Sequence, residues 1–245
     1  MTMDYSVIVP VYNEQACVIP LYDAVTAAME ALRSSYELIV VDDASTDDTV
    51  ARLKTLIAPS SGLTVASLAS HVGKSVAVQA GFDLAQGNIL ITLDGDLQND
   101  PADIPRFLQK LGEGYDMVCG WRRQRQDSRG KKLVSALAKA VRRLVMHDPI
   151  HDVGCWFVVC HRRVIERIHL SHGLHRFFAW LAVQRGFRVG EVEVHHHPRT
   201  LGISKYGVWD RLLEGIVDLW RLRTGGMERL MQQPPAYEIR EVIRR

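Results

Sequence analysis

An α/β fold built on a mainly parallel sheet flanked by helices is predicted by three observations. Short β-branched runs alternate with segments of helical periodicity. The alternation persists through the first half of the chain, which is the order that lays strands parallel and puts helices on both faces of the sheet. The polar signals fall where the strands end, and in such sheets ligands bind at those carboxyl ends.

Taken in order, SVIVP at Ser6–Pro10 is the first strand, and apolar residues at helical spacing over Glu14–Ser34 make the first helix. ELIVV at Glu37–Val41, LTVASL at Leu63–Leu68 and NILITL at Asn88–Leu93 repeat the strand pattern, followed by helical spacing over Thr46–Ile57, Lys74–Ala85 and Ala102–Leu111. DMVC at Asp116–Cys119 is the fifth strand. Beyond it the pattern is less regular. Arg129–Met146 is an amphipathic basic helix, Phe157–Cys160 a strand leading into a helix from His161, and Arg188–Val194 a further strand. From Tyr206 to Arg223 apolar residues alternate with charges in a stripe suited to packing on the domain or lying in a lipid interface. A flexible junction from Gly225 then leads to a short charged helix. This divides the chain into a domain over 1–205 and an amphipathic, polar helical tail over 206–245.

Composition excludes several classes. With 47% hydrophobic and 24% charged residues, 245 residues bury one sizeable core. A net charge of +2 is too small to argue for a nucleic-acid partner, although positives cluster at Arg122–Lys132 and Arg142–Arg143. Cys17, Cys119, Cys155 and Cys160 form no CxxC pair, which points to free thiols in a reducing cytoplasm. The N-terminus runs straight into a strand pattern without the features of a secretory signal, and charges interrupt every apolar run before it reaches spanning length. A cytoplasmic location with at most peripheral membrane contact is expected.

The strongest local signal is LDGDLQNDP. Asp94 and Asp96 follow a hydrophobic strand, Gly95 between them allows close approach of backbone and ligand, and Gln98 adds a neutral oxygen on the same side. Such a group can hold a divalent ion, which neutralises a departing diphosphate and leaves coordination positions open for phosphate. Read alone, the segment is equally a polar turn, with Asp100 or Asp103 at a helix N-terminus. Three further motifs accompany it: VPVYNE at Val9–Glu14, VDDASTDDT at Val41–Thr49 and HVGKSVAVQAG at His71–Gly81.

In identity, order and separation, from about Tyr5 to Tyr206, these four motifs resemble the family 2 glycosyltransferases of GT-A fold, and most closely the polyprenyl-phosphate and dolichyl-phosphate sugar synthases. The resemblance implies that Pro10, Tyr12, Asn13, Glu14, Asp42 and Asp43 frame the nucleoside of a nucleotide-sugar donor, with Lys74 near it or its phosphates. It implies that Asp94, Asp96 and Gln98 hold Mg²⁺ or Mn²⁺, with Asp94 and Gly95 against the nucleotide and Asp96 essential to catalysis.

For the acceptor, Gly120-Trp121-Arg122 stands where such synthases show Gly-Ser-Arg or Gly-Thr-Arg, and Lys131, Lys132 and Ser135 match a basic helix start that binds acceptor phosphate. Arg199, Ser204, Lys205 and Tyr206 match an Arg-x-x-Gly-x-Ser-Lys-Tyr signature at the site mouth. A phosphate monoester needs such donors, Arg offering a bidentate fork. Asp152 is the carboxylate carried over as candidate base or acceptor-orienting group. A phosphate dianion is nucleophilic without full proton abstraction. The chain departs from the pattern at Trp156 and at Phe157-Val158, where relatives often have Phe-Arg.

The expected reaction is therefore inverting transfer of a hexose from GDP-mannose or a UDP-sugar to a polyprenyl or dolichyl phosphate, with peripheral contact at the cytoplasmic face of the membrane. Two alternatives stay open: a family 2 enzyme with a saccharide acceptor, and a non-catalytic nucleotide-sugar-binding module. A dinucleotide-binding dehydrogenase is disfavoured because Tyr-Asn-Glu, not a glycine fingerprint, follows the first strand. The run His195–His197 does not read as a metal site, since successive strand residues point to opposite faces.

Overall fold

In the computed structural model, residues 3–58, 62–123, 150–171, 173–198 and 234–244 are described. The first three strands, β1 (Tyr5–Val11), β2 (Tyr36–Asp42) and β3 (Leu63–Leu68), are linked by α1 (Val18–Glu30) and α2 (Thr49–Thr55). All pair in parallel, β1 with β2 from Tyr5 opposite Tyr36 to Val11 opposite Asp42. After α3 (Lys74–Leu84) the chain crosses back, so that β4 (Ile89–Thr92) pairs with the other side of β1. That reversal separates the loops after β1 and β4 and opens a crevice at their carboxyl ends.

The remaining strands extend the sheet on both sides, to the order β7-β5-β6-β4-β1-β2-β3-β8. A short 3₁₀ turn (Pro101–Asp103) and α4 (Ile104–Gly112) lead to β5 (Met117–Trp121), which does not lie next to β4. Between them runs β6 (Val158–His161), antiparallel to both. After α5 (Arg162–Ile165), a second 3₁₀ turn (Leu174–Phe177) and α6 (Phe178–Gln184), β7 (Val189–Glu193) adds parallel to β5.

The far edge corrects the sequence reading. The short charged helix expected at the end of a helical tail is instead β8 (Ile239–Ile243), antiparallel to β3. Its backbone satisfies the otherwise open edge of β3, and Lys54–Glu241 (2.8 Å) and Tyr237 Oη to Asp83 (2.6 Å) fasten it to α2 and α3. The basic helix expected at Arg129–Met146 and the amphipathic stripe at Tyr206–Arg223 lie outside the described residues.

Two apolar clusters sandwich the sheet, and β1 shows why the alternation of a strand suffices to build both. Val7 and Val9 point into the cluster formed with Val25 and Met29 of α1, Leu53 of α2 and Phe107 of α4. Ile8 points the other way, toward Ala77 and Phe82 of α3 and Phe178 of α6. The α3 helix lies unusually close to the sheet: a Cβ on Gly81 would stand 2.3 Å from Ile8 Cγ2, so only glycine permits this spacing. Close packing here fixes the start of α3, and hence Lys74, against the end of β4.

Candidate active site

The polar residues converge at the β1/β4 crevice through loops that are bonded to one another. After β1, Asn13 takes a left-handed backbone conformation (φ 50°), which turns its amide toward the loop after β2. Its N–H donates to Ser45 Oγ (2.8 Å), and its side-chain carbonyl accepts from the Thr46 N–H (2.7 Å). The Glu14 N–H donates to Thr49 Oγ1 (2.8 Å). Pro10 lies within β1 opposite Val41, while the Tyr12 ring stacks on His71 with centroids 4.1 Å apart. Asn13 and Glu14 thus knit the first two loops together, and Tyr12 ties the first to the segment after β3.

Asp42 and Asp43, at the end of β2, are both buried. Asp42 accepts the Ser45 N–H (3.2 Å), which tightens the loop. Asp43 accepts the N–H groups of Val72 (2.8 Å) and Gly73 (2.9 Å) and pairs with His71 Nδ1 (2.9 Å). Burial raises both carboxyls above their ordinary values, against the pull of these donors. Asp43 therefore fastens the segment that precedes α3. His71 is a site residue the sequence reading did not single out; only its place in HVGKS hinted at it.

Lys74 opens α3, and its ammonium donates to the Asp94 carboxylate; the ring of Trp156 lies 5.3 Å from the same nitrogen. A Cβ on Gly95 would meet Val11 Cγ1 at 2.8 Å and the Pro10 carbonyl oxygen at 3.2 Å, so this glycine lets the β4 loop rest on the end of β1. Asp96 accepts the Gln98 N–H (3.2 Å) across Leu97, whose φ of 59° makes the turn tight. The Gln98 carbonyl accepts from His197 N–H (2.9 Å), and its Nε2 donates to the His197 carbonyl (3.4 Å).

That contact explains the histidine run. His195 gives its N–H (2.8 Å) and Nδ1 (2.9 Å) to Asp103, His197 Nε2 lies 3.5 Å from Asp100, and Asn99 bridges His196. The run closes the strand end and braces the acidic turn.

Arg122 and Asp152, expected in separate roles, form one unit. Arg122 Nε and Nη2 donate to the two carboxylate oxygens at 2.8 and 3.0 Å, and the Arg122 and Gly154 N–H groups add bonds of 3.2 and 3.1 Å. Burial works against the Arg122 charge, but the hydrogen bonds and charge of Asp152 outweigh it and hold the guanidinium above its ordinary value. The Nε–Nη2 edge of the Arg122 guanidinium is therefore turned on Asp152. Lys131, Lys132, Ser135, Arg199, Ser204, Lys205 and Tyr206 lie outside the described residues.

Among the described residues no group of three or more His, Cys, Asp or Glu is arranged to hold a metal ion. The oxygen-only set of Asp94, Asp96 and the Gln98 amide nevertheless suits Mg²⁺ or Mn²⁺. Mg²⁺ in particular usually takes one or two carboxylates and leaves its other positions to water and substrate phosphates.

Residues 6–168 match the family model described as Glycosyl transferase family 2. The chain belongs to that family. Among curated members it is 37% identical over 223 residues to dodecaprenyl-phosphate galacturonate synthase of Rhizobium johnstonii, covering 89% of this chain and 66% of that protein. It is also 37% identical over 216 residues to undecaprenyl-phosphate 4-deoxy-4-formamido-L-arabinose transferase of Yersinia pestis, covering 87% and 65%. The chain thus spans just under two thirds of the length of these relatives. Among solved structures, glucosyl-3-phosphoglycerate synthase from Mycobacterium tuberculosis superposes with a TM-score of 0.69 at 21% identity, covering 91% of this chain and 79% of that one. It was crystallised with Mn²⁺, uridine diphosphate and phosphoglyceric acid, and in another crystal with Mg²⁺ and uridine diphosphate. The fold of this family 2 chain is accordingly of the GT-A type.

Proposed function

We propose that this chain transfers a hexose from a nucleotide-sugar to a polyprenyl phosphate with inversion at the anomeric carbon. The observation that carries the reading is the convergence of Lys74, Asp94, Asp96 and the Arg122–Asp152 pair on the carboxyl side of β1, β4 and β5 in a family 2 chain. Relatives named as polyprenyl-phosphate sugar transferases, at 37% identity, supply the acceptor class.

In this reading the loops of Tyr12–Glu14 and Asp42–Asp43 frame the nucleoside, and Lys74 lies beside the diphosphate. Asp94, Asp96 and Gln98 would hold Mg²⁺ or Mn²⁺, which when bound neutralises charge on the departing diphosphate. Asp152, gripped by Arg122, keeps both carboxylate oxygens in a fixed direction, as an acceptor-orienting group must. Because a phosphate oxygen attacks without needing a strong base, positioning and charge neutralisation carry most of the rate. Lys131, Lys132, Ser135, Arg199, Ser204 and Lys205 are assigned to acceptor phosphate by motif alone. No helix of the described residues is long and apolar enough to cross a membrane, and peripheral contact through Tyr206–Arg223 at the cytoplasmic face is part of the proposal.

The test is incubation with Mg²⁺ or Mn²⁺, a panel of GDP- and UDP-sugars and a short polyprenyl phosphate, with mass spectrometry of the lipid fraction. A glycolipid gaining one hexose is expected, reduced at least about 10²–10³-fold in Asp96→Ala. Donor binding without product in every combination contradicts transfer, and normal turnover by Asp96→Ala contradicts the metal assignment.

A further inference from the structure

A divalent ion held by Asp94 would share its carboxylate with the Lys74 ammonium. Lys74 Nζ donates to Asp94 Oδ1, and among the described residues this is its one hydrogen bond. Cations that share a carboxylate stand only about 4 Å apart and repel one another, so a dication ligated by Asp94 would weaken the hold on the ammonium. The lysine is able to leave. Only its Cα is held, as the first residue of α3, and its side chain is 30% exposed on a flexible stem. The Trp156 ring, 5.3 Å away, gives the cation an aromatic face beside the crevice without a competing charge.

On the reading that Asp94 and Asp96 hold the metal, we propose that Lys74 is an exchangeable counter-ion that couples metal loading to donor binding. Metal displaces the ammonium from Asp94, and the released ammonium pairs with the diphosphate of the incoming nucleotide. Each ligand then strengthens the other, because the diphosphate offers Lys74 the anion that the metal has taken from it. Without a diphosphate, the displaced ammonium has lost its anionic partner, and the metal binds weakly. Lys74 thereby favours loading of the metal together with the donor over loading of the metal alone.

The test is Mn²⁺ binding followed by the electron paramagnetic resonance signal of free Mn²⁺, with and without UDP or GDP, for the wild type, Lys74→Met, Lys74→Gln and Lys74→Arg. Without nucleotide, Lys74→Met and Lys74→Gln are expected to bind Mn²⁺ about tenfold more tightly than the wild type, within the usual range of coupling between sites. The tightening of Mn²⁺ binding by whichever nucleotide binds is expected to shrink by about the same factor in both variants, and Lys74→Arg to behave as the wild type. Equal or weaker Mn²⁺ binding by both neutral variants without nucleotide overturns the exchange while leaving the metal site standing. No saturable Mn²⁺ binding by any of the four proteins, even with nucleotide, overturns the metal site and the exchange with it.

Discussion

Asp42 has no solvent exposure, and its carboxyl titrates above the ordinary value because burial disfavours the ionised form. Such a group favours the fold while protonated and loses that contribution as the pH rises through its folded value, so at neutral pH it carries the cost of a buried charge. Asp42→Asn, which keeps an oxygen for the Ser45 N–H, is expected to raise stability at neutral pH. The gain should shrink as the pH falls toward the carboxylate range, while donor affinity drops. Calorimetry at two pH values together with nucleotide titration checks both halves, and a gain that grows on acidification contradicts the account. The Arg122–Asp152 pair behaves oppositely. Its side chains are only 12% and 7% exposed, so removing one partner leaves a buried charge without its counterpart. Arg122→Met is expected to cost about 3 kcal/mol in urea unfolding, and Arg122→Met with Asp152→Leu less than the sum of the two single changes. Asp94 and Asp96 stood out in the sequence because carboxylates that follow an apolar run are conspicuous, and Asp152 entered through the family resemblance. The pairings were not legible, since Arg122 meeting Asp152 and His71 meeting Tyr12 and Asp43 depend on loops brought together only by the fold.

At the scale of elements, the parallel strands were legible because a strand covered on both faces reads as a continuous apolar run, as in VIVPV of β1 and LIVV of β2. Two strands resist such reading. The insertion of β6 between β4 and β5 is a matter of pairing partner, on which the four residues Val158–His161 carry no local information. The β8 segment, IREVI, is exposed at its three central positions and looks like a charged helix; the hydrogen bonds offered by the edge of β3 decide its state. Helix α3 shows the reverse case, in which one small residue sets an element's position. Gly81→Ala places a methyl group against Ile8, and either α3 or β1 must yield. A loss of about 1–3 kcal/mol in urea unfolding is expected, along with weaker donor binding as Lys74 shifts away from Asp94. Unchanged stability contradicts the tight packing described here.

At the scale of the whole molecule, the described residues form a sheet of eight strands with an apolar cluster on each face and a crevice where the strand order reverses between β1 and β4. This arrangement brings the VPVYNE loop, the Asp42–Asp43 loop, the start of α3 and the Asp94–Asp96 turn to one edge, although they are spread over more than eighty residues of sequence. The ends of the first, second and fourth strands could be recognised in advance because the topology of alternating strands and helices dictates where they meet. The acceptor side could not be read in the same way, because its residues come from the antiparallel half of the sheet and from motif matches beyond the described residues. In the proposed reaction the turn after β4 would hold a divalent ion beneath the diphosphate of a nucleotide-sugar. Anomalous diffraction from a crystal grown with Mn²⁺ and UDP or GDP measures this directly. A manganese peak bound by Asp94 and Asp96 and touching the diphosphate is expected; a nucleotide seated in the crevice with both carboxylates turned away from the ion would overturn the metal assignment.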